Sequence, residues 1–295
     1  MGHCLSFALG MIMAMAGGSH GTLANTSPDP HPHHAHHMAG DQADQQERWQ
    51  AEVDLTPVST DPSAASYRAH LKLKDAAGNP IGLDRLMVVH TQPLHLLIID
   101  EAFTDYHHIH PDATAKPGTY VFTWQPSTQQ NYALWVDVTD AKTGQQQFIR
   151  LGLLSAKKTG PTAYSPSAEE TQKPQLIASN LGVTAKLHVA EALEKNKPTL
   201  LKIELTDQTG QPLHDLEPLM GAFAHLVGFY EDFQTLAHVH PMGDEPQTSE
   251  ARGTSPLTFM LEPEVSGDLH LFLQIKRQGQ EITFPFRVRI GAAPF

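Results

Sequence analysis

Two groups of three histidines have the residue types and the spacing of metal ligands. In each group, the first histidine is followed 13 and 15 residues later by the two histidines of a His-x-His-Pro motif. The six residues are His95, His108 and His110 in the first group and His225, His238 and His240 in the second. Neutral imidazole is the commonest protein ligand for transition metals. We therefore predict one three-histidine metal site per group.

Strand geometry explains how each group could converge. Side chains alternate between the two faces of a strand, so His108 and His110 point the same way. If Asp100 faces Asp105 in a hairpin, His95 lies opposite His110, and a register two residues tighter places it opposite His108. Either register leaves all three imidazoles on one face, with directly opposed Cβ atoms about 4.5–5.5 Å apart. The same parity holds in the second group.

The sequence around these histidines is typical of short strands separated by turns. From Trp49 onward, apolar and polar residues alternate in brief runs, as in a β-sandwich or small barrel. The predicted strands of the first half are Trp49–Leu55, Tyr67–Leu73, Leu86–Val89, His95–Ile99, Tyr106–His110, Tyr120–Trp124, Tyr132–Val138 and Gln147–Leu154. The sequence therefore predicts an all-β fold, immunoglobulin-like or cupredoxin-like.

The second half of the chain repeats the first. Ile203–Leu213 matches Leu71–Ile81, and Asp268–Ile275 matches Asn131–Val138. We therefore predict two tandem β-sandwich domains, repeat 1 over residues 48–155 and repeat 2 over residues 176–295. A linker rich in proline, serine and charge occupies residues 156–175 between them.

The N-terminal region has the composition of a targeting segment followed by a polar tail. Residues 4–16 are apolar but too short to span a bilayer, and small residues follow near Ala24. We predict a signal peptide over residues 1–24, and hence a periplasmic or secreted protein. Residues 25–47 are polar and rich in histidine, which predicts a disordered segment. No other apolar stretch approaches membrane-spanning length, so the chain is not expected to span a membrane.

The composition of the chain excludes some classes of partner and some kinds of metal site. A formal net charge of -12 argues against nucleic acid as a partner. The single cysteine, Cys4, lies in the predicted signal peptide, so the mature chain has no thiolate ligand. This excludes blue-copper electron transfer, which needs a cysteine ligand. Imidazole ligands alone leave Cu(II), Zn(II) and Ni(II) as candidate ions.

Most of the remaining histidines have no counterpart in the other repeat and are interpreted as structural. They are His70, His90, His188, His214 and His270. His107 alternates with His108 and His110 and therefore faces away from them. His270 lies on the strand that follows the histidine hairpin and could add a ligand.

One stretch of repeat 2 resembles a known family. Leu216–His225, followed by Asp232-Phe233 and His238–Pro241, is similar to a β-domain of exported bacterial proteins often encoded near copper and heavy-metal efflux systems. The shared pattern is Glu-Pro-x-x-Gly-Ala-x-x-His, an Asp-Phe step and His-x-His-Pro. The resemblance implies a periplasmic, metal-related role, favours copper and suggests an efflux component as a partner. It also implies that Glu217 could support the site from outside the ligand shell.

The sequence thus favours a binding protein that sequesters, delivers or confers resistance to a metal, with Cu(II) preferred and no enzymatic activity. One alternative is a metalloenzyme, since three histidines with an open position also describe catalytic zinc. Its general base would be Asp105 or Glu231. The other alternative is a structural or adhesion β-sandwich module whose histidines are incidental.

Overall fold

The computed structural model describes residues 48–59, 65–155, 174–189 and 191–291, without the side chains of residues 153–155 and of His238. The predicted signal peptide, the histidine-rich segment and residues 156–173 of the predicted linker lie outside this range. Within it the fold is all-β, as predicted, and a single 3-10 turn at Leu83–Arg85 is the only helical element. The residues that the structure describes form one compact unit.

The described part of repeat 1 forms two antiparallel sheets. In chain order its strands are β1 Gln50–Pro57, β2 Tyr67–Lys74, β3 His95–Asp100, β4 Tyr106–Ile109, β5 Asp112–Ala113, β6 Thr119–Trp124, β7 Asn131–Thr139 and β8 Gln146–Ser155. One sheet has the order β1-β2-β6-β5 and the other β4-β3-β7-β8. The core between them includes Leu71, Leu96, Trp124 and Leu134. This arrangement is a β-sandwich.

Repeat 2 has an analogous set of strands that join into one sheet. They are β9 Ile177–Asn180, β10 Val183–Val189, β11 Thr199–Thr206, β12 Ala224–Tyr230, β13 Leu236–Met242, β14 Leu257–Glu262, β15 Gly267–Arg277 and β16 Gln280–Ile290. Their order is β16-β15-β12-β13-β14-β11-β10-β9. The sheet is continuous because β13 pairs with β12 at its start and with β14 along the rest of its length. Its core includes alternate residues of β11, namely Leu201, Ile203 and Leu205.

Burial follows the strand pattern where one face of a strand is covered, and departs from it where both faces are covered. On β2, Ala69, Leu71 and Leu73 are buried and the residues between them are not, so one face points to solvent. All six residues of β3 are buried. Leu96 packs into the core of repeat 1, whereas Leu97 packs against repeat 2. The strand that carries His95 is therefore covered on both sides.

A third apolar cluster joins the two repeats. Its buried members are Leu97, Ile99, Ala133 and Trp135 from repeat 1 and Phe229, Leu236 and Phe272 from repeat 2. At its margin the Phe103 ring stacks on Phe233, with ring centroids 4.7 Å apart. Aromatic pairs of this kind add to the free energy gained from burial. The histidine strands of both repeats are thereby held next to one another.

One predicted strand is wrong. Leu86–Val89 forms only isolated bridges, from Leu86 to Asp140 and from Val89 to Gln92. The segment lies between the 3-10 turn and a two-residue loop, in which His90 and Thr91 have φ values of 50° and 67°. Positive φ at both central residues is the feature of type I′ hairpin turns. An apolar run of four residues does not by itself identify a strand, and here Met87 and Val88 are exposed.

No helix in the part of the chain that the structure describes is long and apolar enough to cross a membrane.

Candidate metal centre

His95 lies at the start of β3, where a loop carbonyl fixes its ring. Its Nε2 atom is 3.0 Å from the carbonyl oxygen of Val89. Since a carbonyl can only accept a hydrogen bond, Nε2 carries the proton and donates it. In the neutral ring Nδ1 is then an unprotonated nitrogen with a free lone pair. This is how a second hydrogen bond usually orients a metal-binding histidine.

His108 lies on β4 and is oriented by a residue of the other repeat. Its Nδ1 atom is 3.0 Å from Oε1 of Gln274, and the Tyr106 hydroxyl donates to the same oxygen at 3.3 Å. An amide oxygen accepts, so Nδ1 carries the proton of His108 and Nε2 has the lone pair. Gln274 could not have been found from the histidine spacing, because it contacts His108 only through the packing of the two repeats.

The β3–β4 hairpin has the predicted register in which Asp100 faces Asp105. Leu97 faces His108 and Leu96 faces Ile109, and this register places His95 opposite His110. The Nδ1 atom of His95 is 3.1 Å from Nε2 of His108 and 3.1 Å from Nε2 of His110. The three ligand atoms all lie within 4.8 Å of one another. Two ligands on a tetrahedral ion at 2.0–2.1 Å would be about 3.3 Å apart.

The hydrogen-bond partners leave two lone pairs facing each other. With protons on His95 Nε2 and His108 Nδ1, no proton lies between His95 Nδ1 and His108 Nε2, although these atoms are in contact. Only His110 could donate into this space. A pocket of converging imidazole lone pairs attracts a cation, and three nitrogens at this separation fit a Cu(II), Zn(II) or Ni(II) ion.

Burial keeps these imidazoles neutral. Desolvation is the largest cause that lowers the pKa of His95, to about 4, and the neighbouring His110 lowers it further. The pKa of His108 is well below its ordinary value for the same first reason, and burial also lowers the pKa of His110. Neutral imidazole is the form that binds metals, so the site needs no deprotonation at neutral pH.

The second predicted group is arranged differently. His225 lies on β12, and its Nε2 atom donates to the carbonyl of Leu219 at 3.0 Å. Strand β13 pairs with β12 only through Leu236 and Ala237, and from His238 onward it pairs with β14. His240 thus has Met260 as its cross-strand neighbour. The side chain of His238 lies outside the described residues. Among the side chains that are described, only the first group brings three ligand atoms within 4.8 Å.

His90 was interpreted as structural from the sequence, but it lies beside the predicted ligands. Its ring centroid is 5.0 Å from that of His225 and 6.1 Å from that of His95. The position five residues before His95 corresponds to Met220, five residues before His225. The two positions correspond although only one of them is a histidine. The signal in the sequence is that both His and Met are metal-binding residue types.

The other side chains singled out from the sequence lie elsewhere. His270 stacks on Phe103, with ring centroids 3.9 Å apart, and is not part of the three-histidine cluster. His107 is 3.1 Å from a carboxylate oxygen of Asp105. Although desolvation opposes it, the close His107 ring and hydrogen bonds from Tyr132 and Ser127 lower the pKa of Asp105 to about 2.

Gln274 offers a direct test of how the His108 ring is oriented. Replacing it by leucine removes the acceptor for His108 Nδ1, and we expect the affinity for Cu(II) to fall about 10- to 100-fold, the usual effect of losing such a partner. Gln274→Glu keeps an acceptor and is expected to retain the affinity. Competition titration with a chromophoric chelator measures both. Equal affinities in the two variants would contradict this orientation.

The sequence of the chain matches a family whose description is Domain of unknown function (DUF8832), over residues 49–151 and 178–292. The chain belongs to the DUF8832 family. The two matched ranges of this DUF8832 protein fall within the predicted repeats. A comparison with curated proteins found no match.

Among solved structures, this DUF8832 protein is similar to domains of an S-layer protein, SbsC. It is 15% identical to domains 4 and 5, with 82% of this chain and 100% of that chain covered and a TM-score of 0.22. For domains 1–6 the identity is 14%, with 83% of this chain and 28% of that chain covered and a TM-score of 0.22. The chain thus spans little more than a quarter of the longer structure.

Proposed function

We propose that the protein is an exported metal-binding protein whose site consists of His95, His108 and His110. The observation that supports this best is that two unprotonated nitrogens, His95 Nδ1 and His108 Nε2, point at each other 3.1 Å apart. Without a cation these atoms repel each other. With one, all three imidazoles become ligands of an ion.

Copper is the preferred ion in this proposal. Sites of nitrogen ligands bind Cu(II) more tightly than Ni(II) or Zn(II), and no thiolate is present in the mature chain to select another metal. The resemblance to β-domains encoded near copper efflux systems points the same way. The protein would sequester copper, deliver it or confer resistance to it, in the periplasm or outside the cell, and a heavy-metal efflux component would be its partner.

The metalloenzyme alternative is weaker, and we propose that the protein is not an enzyme. A catalytic site needs a general base near the metal. Asp105 is bound by Tyr132 at 2.6 Å and by the Ser127 amide at 2.7 Å, and its pKa of about 2 makes it a poor base. Glu231 is 3.6 Å from His270, which lies outside the cluster.

A structural or adhesion module is the second candidate. His95 and His225 each hold a loop through a carbonyl, which is a structural role. If the Gln274 amide were turned over, His108 could carry its proton on Nε2 and donate it to His95 Nδ1. The cluster would then be a metal-free hydrogen-bond network.

Metal analysis of the full chain decides between these functions. The five histidines of residues 31–37 are first replaced by alanine, so that the tail does not contribute. In that background we expect His108→Ala/His110→Ala to lose about one equivalent of Cu(II) after dialysis, because a single remaining imidazole cannot hold the ion. His214→Ala, which replaces an exposed histidine, serves as the control. A double variant that binds as much copper as the control would favour the structural module.

A further inference from the structure

Two equivalent loops of the repeats lie against each other. His90 and Thr91 form one, and Met220 and Gly221 form the other, with φ values of 50° at both His90 and Met220. Each loop is closed by paired backbone hydrogen bonds, Val89 with Gln92 and Leu219 with Ala222. A methyl group built on Gly221 would lie 3.6 Å from Thr91 Cγ2. The loop of repeat 1 therefore lies next to His225 of repeat 2.

The ring of His90, a residue of repeat 1, packs against the ring of His225, a residue of repeat 2. It meets the His225 ring edge-on, at 81° between the ring planes. Although the residue as a whole is exposed, desolvation lowers the pKa of His90; the Glu245 carboxylate opposes this shift, and repulsion from His240 adds to it. Three imidazoles from two repeats are therefore neighbours, and one of them is open to solvent.

His225 has the same proton arrangement as His95. Its Nε2 atom donates to loop carbonyls, of Leu219 at 3.0 Å and of Met220 at 3.2 Å. Nδ1 is left with a lone pair. The pairing of Gly228 with Ala237 sets a register that gives His240 the same face parity as His225.

We propose that His90, His225 and His240 hold a second divalent cation, in a centre that takes its ligands from both repeats. The choice of Cu(II) as the cation at this second centre rests on the proposed function. The ligand atoms of this set are farther apart than those of the first cluster, because only that cluster brings three described ligand atoms within 4.8 Å. In this proposal the exposed His90 side chain rotates towards His225 and His240 when the ion binds. Binding at this centre links the two repeats through the ion.

The test uses Cu(II) and the full chain with alanine in place of the five histidines of residues 31–37. Copper content after dialysis and electron paramagnetic resonance are measured for this parent, for His90→Ala, for His108→Ala/His110→Ala and for the control His214→Ala. We expect about two equivalents in the parent and the control and about one in His90→Ala. Two neighbouring Cu(II) ions also give a half-field signal, which His90→Ala is expected to lose.

The outcomes separate this inference from the proposed function. If His90→Ala keeps two equivalents and the half-field signal, the second centre is wrong, whatever the double variant does. If His90→Ala loses one equivalent and the double variant loses none, the second centre stands and the first site is wrong. A parent that binds no copper overturns both.

Discussion

Replacing Phe229 by alanine is expected to destabilise the protein by about 3–5 kcal/mol, the usual cost of removing a buried phenylalanine ring. Phe229 is fully buried, and its ring contacts Trp135, Tyr106 and Phe272, with centroids 5.3, 5.6 and 5.8 Å away. Two of these partners belong to repeat 1. The cavity would therefore weaken the cluster that joins the repeats, and they should unfold in separate steps.

Phe284→Ala is the matched control for this prediction. Phe284 is equally buried but belongs to the core of repeat 2 alone. We expect a similar loss of stability from it without the separation of the two transitions that Phe229→Ala causes. Urea unfolding followed by tryptophan fluorescence and by circular dichroism measures both effects. A loss below about 1 kcal/mol for Phe229→Ala would show that the ring is not tightly packed.

Acid is expected to destabilise the protein through His270. Desolvation is the main cause that lowers the pKa of this residue to about 4, and Arg287 lowers it further. The unfolded chain has the ordinary histidine pKa of about 6.5, so it binds more protons than the folded chain between these values. Stability from this group is complete above pH 6.5 and is lost as the pH falls towards 4. The loss is at most about 3 kcal/mol.

His270→Phe isolates this contribution. The new ring can stack on Phe103 as His270 does, at 3.9 Å, but it does not titrate. Glu231, 3.6 Å from Nε2, and Arg287 on the adjacent strand are the charged groups that face the position. Urea unfolding of metal-free protein at pH 7, 5.5 and 4 should show the variant gaining on the wild type as the pH falls. A difference that stays constant with pH would contradict the prediction, and His214→Phe controls for the substitution itself.

The sequence predicted those features that depend on the alternation of side chains along a strand. The all-β class follows from the pattern of apolar residues. The common face of His95, His108 and His110 follows from their spacing in either of the two registers, which differ by two residues, whereas a shift of one residue would have moved His95 to the other face. The pairing partner of a strand is not determined locally in this way. The switch of β13 from β12 to β14 at His238 was therefore not predicted.

Residues that act across the two repeats were also missed. Gln274 and His90 reach the histidine cluster from elements that are distant in the sequence or irregular in structure. Their positions depend on how the third apolar cluster packs, and no periodicity within one repeat contains that information. Leu86–Val89 was assigned to a strand because it is a short apolar run, but only Leu86 is buried, and Met87 and Val88 are exposed.

The contacts between the two repeats have a consequence for symmetry. Phe103 and Phe233 are equivalent residues and stack on each other, and the equivalent loops are close enough that a methyl group built on Gly221 would lie 3.6 Å from Thr91 Cγ2. Contact between equivalent positions is the property of an isologous two-fold interface. The chain is thus built like a homodimer whose subunits are covalently joined. In a true homodimer every substitution appears on both sides of the axis. Here one side can have His90 where the other has Met220, so a single centre can be asymmetric.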